Sequence, residues 1–358
     1  MVIKTTHKIY FKDARKMDSV PSNSIDLMIT SPPYPMIEMW DAMFKKNNPA
    51  IKKALKIKNG EEAFELMHKE LDKVWEETYR VLKNNRIACI NIGDTVRTID
   101  DNFQLYSSHT RILEKCIKIG FKALPAVIWR KQTNRPNKFM GSGMLPANAY
   151  STLEHEFILI LKKRCKRKFM SEGEKINRRK SGFFWEERNL WFSDIWTGLN
   201  GISQKLNFNK IRKRSAAFPF ELPYRLINMF SVQGDTVLDP YLGTGTTMFA
   251  SMCSARNSIG FEINKNFKDF TIKKSKNFIK FSNNYIEKRL NNHLNFVRSK
   301  IENEKNYFKY KNKSHNFFVM TNQERFISIH NLKSIEPTNK NSIEVTYREK
   351  PISYNAFI

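Results

Sequence analysis

Ser31, Pro32, Pro33 and Tyr34 follow the apolar run Leu27-Met28-Ile29 with only Thr30 between. Proline has no N–H, fixes its own φ and presses the residue before it into an extended conformation. Ser31 and Pro32, each followed by a proline, are therefore held stiffly at the end of a strand. Such a loop offers a hydroxyl, backbone carbonyls and a phenol ring to one point in space. The chemistry it suits is methylation of the exocyclic amine of a base, a poor nucleophile because its lone pair is conjugated into the ring. Two acceptors, the Ser31 side chain and the Pro32 carbonyl, could each take an amino hydrogen and favour the pyramidal nitrogen that frees that pair. Tyr34 would stack on a base flipped out of its duplex. A plain Pro-Pro turn would look the same in isolation, so the reading needs a second constellation.

The second lies some 200 residues further on. A strand at 236–239 runs into Pro240-Tyr241-Leu242-Gly243-Thr244-Gly245-Thr246-Thr247, a helix follows from Met248, and a strand at 258–263 carries Glu262 near its end. Glycines let backbone N–H groups approach a ligand closely, and an acidic residue at that place can take both hydroxyls of a ribose. No lysine follows Gly245, so the loop is not a triphosphate-binding P-loop. Met248 stands where a dinucleotide motif has its third glycine. The loop suits a nucleoside without phosphate, such as S-adenosylmethionine. Asp13, just past a short strand at 8–11, could face the same crevice or cap a helix.

The elements that must position these groups alternate. The steps of three and four through Phe64, Met67, Leu71, Val74, Thr78 and Val81 predict a helix over 61–82. A strand is expected at 87–92, a helix at 105–119 ending at Gly120, and strands at 121–129 and 155–161. Residues 42–60 read as a lysine- and asparagine-rich surface connector, and 130–148 as a long polar loop. The segment 217–223 opens a helix through Leu226, Ile227 and Phe230. Past Asn264 the chain reads as helical to about 305, then as a small β-rich appendage with strands at 316–320, 326–330 and 343–347.

The formal net charge of +27 points to phosphate backbones, because each Lys or Arg at a phosphate releases condensed counterions. An anionic membrane surface is the competing reading, without a basic amphipathic helix to carry it. The charge is clustered at Lys166, Arg167 and Lys168, at Arg178, Arg179 and Lys180, and at Arg212, Lys213 and Arg214. Phe183-Phe184-Trp185, Trp191-Phe192 and Trp196 are interleaved, a pattern that suits a nucleic-acid surface or a solvated linker with its own aromatic cluster. Four scattered cysteines indicate neither a zinc site nor a disulfide framework. No stretch approaches the roughly 18 apolar residues of a membrane span, and the N-terminus lacks a signal-peptide core, so a cytoplasmic protein is expected.

Four motifs together resemble the β-class DNA amino-methyltransferases of bacterial restriction–modification systems. Thr30-Ser31-Pro32-Pro33-Tyr34 is similar to the family's catalytic motif, and Asp239 through Thr247 to its cofactor loop. Ala217-Phe218-Pro219-Phe220-Glu221-Leu222-Pro223 resembles the segment before that loop, and His155-Glu156-Phe157-Ile158-Leu159-Ile160 the family's late strand. The resemblance implies an α/β fold: a doubly wound, Rossmann-like methyltransferase sheet of seven strands with the last antiparallel, in circularly permuted motif order. It implies a catalytic half at 1–163, target recognition at 164–214, a cofactor-binding half at 215–275 and the appendage at 276–358.

The same resemblance implies S-adenosylmethionine held by Phe218, Pro219, Asp239, Pro240, Leu242, Gly243, Thr244, Gly245, Thr246, Thr247 and Glu262, with Asp13 on the adenine side. Ser31, Pro32, Pro33 and Tyr34 would be catalytic. Serine at the first motif position goes with cytosine N4 as the target, with adenine N6 the alternative. Double-stranded DNA is the implied partner, acted on by a monomer or homodimer alongside a cognate endonuclease. A catalytically silent DNA-binding subunit is the reading from another class; cofactor binding separates it.

Overall fold

The computed structural model describes residues 3–131, 140–199, 218–267, 275, 277–304, 308–339 and 341–354. The first part runs β1 (Lys4–Tyr10), β2 (Ile25–Thr30), α1 (Glu38–Asn47), α2 (Pro49–Lys56), α3 (Gly60–Val81) and β3 (Leu82–Ile92). A hairpin of β4 (Thr95–Ile99) and β5 (Asn102–Tyr106) leads into α4 (Ser108–Ile119) and β6 (Phe121–Arg130). A short pair, β7 (Met140–Gly141) with β8 (Ala149–Tyr150), precedes β9 (His155–Lys163). Then come α5 (Glu172–Lys180), α6 (Trp185–Trp191), β10 (Ile195–Trp196), α7 (Glu221–Phe230), β11 (Thr236–Asp239), α8 (Thr246–Cys253) and β12 (Asn257–Phe261). The C-terminal part holds α9 (Phe278–Glu304), the short pair β13 (Tyr310–Lys311) and β14 (Phe318–Val319), a 3-10 turn at Asn322–Phe326, β15 (Leu332–Asn339) and β16 (Ser342–Tyr347).

Ten strands form one sheet in the order β10-β6-β9-β3-β2-β11-β12-β1-β16-β15. Its middle seven, β6 to β1, are the expected doubly wound core: β2 pairs in parallel with β3 and β11, and β9 is antiparallel to β3 and β6. All six residues of β2 are buried, as expected where both faces of a parallel sheet are covered. Leu27 and Ile29 pack with Val237, Leu226 and Phe249 on one face, and Met28 packs with Leu238, Met67 and Trp75 on the other.

Some expectations fail locally. Residues 102–106 pair as the second strand of a hairpin, so helix α4 starts at Ser108 and not at 105. The surface connector is two helices whose Phe44, Ile51 and Ala54 are buried. The tail does not stand off as a small β unit. Ser342–Tyr347 anneals to β1 and Leu332–Asn339 adds beyond it, extending the central sheet, while 326–330 is not a strand.

Helix α9 is fastened by a buried ion pair. Arg289 donates to Glu187 of α6 (2.7 Å) and to the Tyr224 hydroxyl (3.0 Å), and both charged side chains are almost fully enclosed. Removing one partner of such a pair leaves the other charge buried and uncompensated, at about 3–5 kcal/mol. Arg289→Met is therefore expected to lower the urea unfolding midpoint strongly, and Arg289→Met with Glu187→Leu to recover much of the loss. An unchanged midpoint in the single variant would refute the assignment of this pair as a fastening.

Candidate active site

Pairing of Leu27 with Val237 and of Met28 with Leu238 brings the ends of β2 and β11 side by side. Their two loops are then joined by side chains. Asp239 accepts hydrogen bonds from the Thr30 hydroxyl (2.7 Å), the Thr247 hydroxyl (2.6 Å) and the Tyr241 N–H (3.0 Å). The Asp239 side chain is enclosed, and burial pushes its carboxyl up against the pull of the Thr247 and Thr30 hydrogen bonds. A carboxylate offers about four acceptor sites, so roughly one is left, and Asp239 lines the cleft beside Ser31.

The glycine loop has the backbone its sequence requires. Gly243 and Gly245 sit at φ +51° and +82°, the left-handed region that glycine enters without cost. The Glu262 carboxylate accepts from the N–H groups of Gly243 (3.0 Å) and Asn264 (2.8 Å), and burial raises it. Gly260, which the sequence reading passed over, is what lets this loop lie down on the sheet. A Cβ there would stand 2.6 Å from Leu242, whose side chain packs over the strand.

Between the two loops opens a cleft of about 740 Å³, within the usual range of small-molecule sites. Ser31, Pro32 and Pro33 form part of its wall, facing Asp239, Pro240, Leu242, Gly243, Thr244, Thr246 and Glu262, with Asp13 and Phe218 at the margin. Pro219, Gly245 and Thr247 do not line it. The Pro219 carbonyl starts α7, Gly245 caps α8, and Thr247 is turned to Asp239. Asp13 is occupied by Arg15, which bridges it to Glu70 of α3. Met39, Trp40 and Met43 of α1 also line the cleft. Their positions one helical turn apart were the available signal.

Tyr34 is not among the residues that line this cleft. The ring lies over Gly93, where a Cβ would meet it at 3.1 Å. Its hydroxyl donates to Glu156 (2.8 Å) and accepts from Asn91 (3.0 Å). A buried phenol needs partners, and they lie behind Ser31 and not in front of it.

The place of two basic clusters, 166–168 and 178–180, is a correction. Because β9 runs against its neighbours, it carries the chain away from the cleft and delivers 164–180 to the far end of the sheet. There Arg167 pairs with Asp235 (3.0 Å) and Asn177 donates to the Gln233 carbonyl (2.8 Å), both just before β11 begins. Lys166, Lys168, Arg178, Arg179 and Lys180 are exposed at that end, opposite Ser31. Arg212, Lys213 and Arg214 lie outside the described residues. The aromatics between them are largely core: Phe184, Trp191 and Trp196 are buried, against α9 and β6.

The donor set fits S-adenosylmethionine. Asp239 would meet the charged methionine end, the glycine loop would lie along the middle, and Glu262 would take the ribose hydroxyls; bound there, the cofactor supplies an activated methyl group. A family profile described as DNA methylase matches residues 25–275. The Type II methyltransferase M.MthZI of Methanothermobacter thermautotrophicus is 49% identical over 97% of this chain and 96% of its own. M.MjaI of Methanocaldococcus jannaschii is 50% identical over 74% of this chain and 90% of its own. A putative DNA modification methylase of Thermus thermophilus, solved with S-adenosyl-L-methionine, superimposes with a TM-score of 0.58 at 28% identity, covering 76% of this chain and 93% of the other. With two loops tied through Asp239 around one cleft, and a relative matching nearly end to end, the chain belongs to the DNA methylase family and is an S-adenosylmethionine-dependent DNA methyltransferase.

Proposed function

We propose that this enzyme methylates the exocyclic N4 of cytosine at a specific site in duplex DNA, with the target base taken out of the helix. The observation that carries the reading is Ser31 on the cleft wall, one residue after the Thr30 that is bonded to Asp239. An enzyme that does chemistry on a base in such a cleft takes the base out of the stack. The Ser31 oxygen and the Pro32 carbonyl then take its two hydrogens while the lone pair faces the methyl donor. A serine in this place, where other members of the class carry Asp or Asn, favours cytosine.

The proposed role in the host is protection of DNA against an endonuclease that cuts the same sequence. The Type II methyltransferase names of the similar proteins support it. No helix among the described residues is long and apolar enough to cross a membrane, and the surplus of 62 Lys and Arg over 35 Asp and Glu favours a polyanionic partner. Transfer of a tritiated methyl group to unmodified duplex DNA, followed by nucleoside analysis, tests the proposal. N4-methylcytosine is the expected product. N6-methyladenine alone would overturn the choice of base, and cofactor binding without any transfer would turn the reading toward a silent DNA-binding subunit.

A further inference from the structure

Ser31 can accept a hydrogen from the target amine only if its own hydroxyl hydrogen is directed elsewhere. The residues behind it decide where that hydrogen goes. Glu156, at the start of β9, is buried and, as a carboxylate, only accepts. Its Oε2 takes the Tyr34 O–H (2.8 Å) and the Asn91 amide (2.7 Å), and its Oε1 takes the Lys131 ammonium (2.7 Å). With its hydrogen committed to Glu156, Tyr34 has only lone pairs to offer Ser31, whose Oγ is 3.2 Å away. Ser31 must therefore donate to Tyr34; the Asn91 amide, 3.5 Å away, can take one of its lone pairs, and the other is left for the cleft.

We propose that Glu156 is a positioning residue for methyl transfer, fixing the direction of the Ser31 hydroxyl through Tyr34. This rests on Ser31 being the acceptor for the target amine, as read above, and adds a residue three steps removed from the substrate. The polarity runs one way, from Ser31 to Tyr34 to Glu156, and Lys131 anchors its end. A glutamine at 156 keeps it in only one of its two orientations, and Lys131 opposes that one. If its carbonyl faces Tyr34, its amide confronts Lys131; if its carbonyl faces Lys131, its amide donates to Tyr34. In the second case the Tyr34 hydrogen turns to Ser31 and takes the lone pair meant for the amine.

The test is a set of single-turnover methylation rates at saturating S-adenosylmethionine and duplex DNA, with cofactor affinity and melting temperature measured on the same samples. Glu156→Gln is expected to slow transfer about tenfold or more in the otherwise unchanged enzyme, with cofactor affinity held. Glu156→Asp, which keeps an acceptor-only group, should fall between the two. In a Tyr34→Phe background, and independently in a Ser31→Ala background, Glu156→Gln should change the rate by less than about twofold, because the chain is already cut. An equal effect of Glu156→Gln in all three backgrounds would show a general structural role and overturn the proposal, as would a full rate in the single variant. Ser31→Ala alone reports on the underlying reading. If it is slow while Glu156→Gln is not, only the positioning role is lost; if it keeps the full rate, the acceptor assignment itself fails.

Discussion

Ser31→Ala is expected to lower the single-turnover rate of methyl transfer about 10²- to 10³-fold, the range found when one preorganised hydrogen-bonding group is removed from a reacting centre. The affinity for S-adenosylmethionine should stay within about twofold. The reason is in the layout: Ser31 has its hydrogen-bond partners in Tyr34 and Asn91 and none in the glycine loop. Alanine keeps the proline-stiffened backbone and removes only an oxygen. Rapid-quench methylation and calorimetry on the same preparation check the two halves. A parallel fall in both would mean that the two loops are not separable and that the serine also shapes the cofactor site.

Asp239→Asn is expected to show the opposite split, with an unusual stability signature. The side chain keeps its shape, Thr30 can still donate to the remaining oxygen, and the Thr247 hydroxyl can reverse to accept from the new amide. What goes is a buried charge. Burial holds the Asp239 carboxyl above its ordinary value of 3.8, so relative to the unfolded chain the folded protein is favoured most below that value. It gives up this advantage as pH rises through the raised folded value. Asparagine does not titrate. The variant should therefore melt no lower than the parent at neutral pH and gain on it across that rise. Cofactor affinity should fall about tenfold or more, since a hydrogen bond to a charged group is worth about 1.5–3 kcal/mol. A variant that melts well below the parent at neutral pH, or binds cofactor as tightly, contradicts this account.

The two predictions rest on different kinds of legibility. Ser31 and the glycine loop could be read from residue type alone, because consecutive prolines and glycines restrict or free the backbone wherever they occur. Their meeting could be expected only through the order of the strands. The Thr30–Asp239 bond that cements it has no local signal, joining residues 209 apart in the chain. The partners of Tyr34 were hidden for a related reason. Which way a ring turns depends on Glu156, Asn91 and Gly93, and nothing near Tyr34 in sequence announces them. The basic clusters were legible as charge and not as place. The position of the two described clusters, 166–168 and 178–180, at the far end of the sheet follows from the reversed direction of β9, which interleaved arginines and tryptophans cannot reveal. The aromatic residues of that region fill the space beneath α9, so a composition that suits base stacking here serves packing.

The position of β1 carries a consequence for synthesis on the ribosome. This strand is made well ahead of its neighbours in the sheet, which are β12 on one side and β16 on the other. About 250 residues must be translated before the nearer one emerges, which at ordinary elongation rates takes on the order of 10–50 s. Through that interval the nascent chain holds an edge that nothing of its own can cover. Newly made copies should thus depend on holding factors, or on slow expression, in a way the finished enzyme does not.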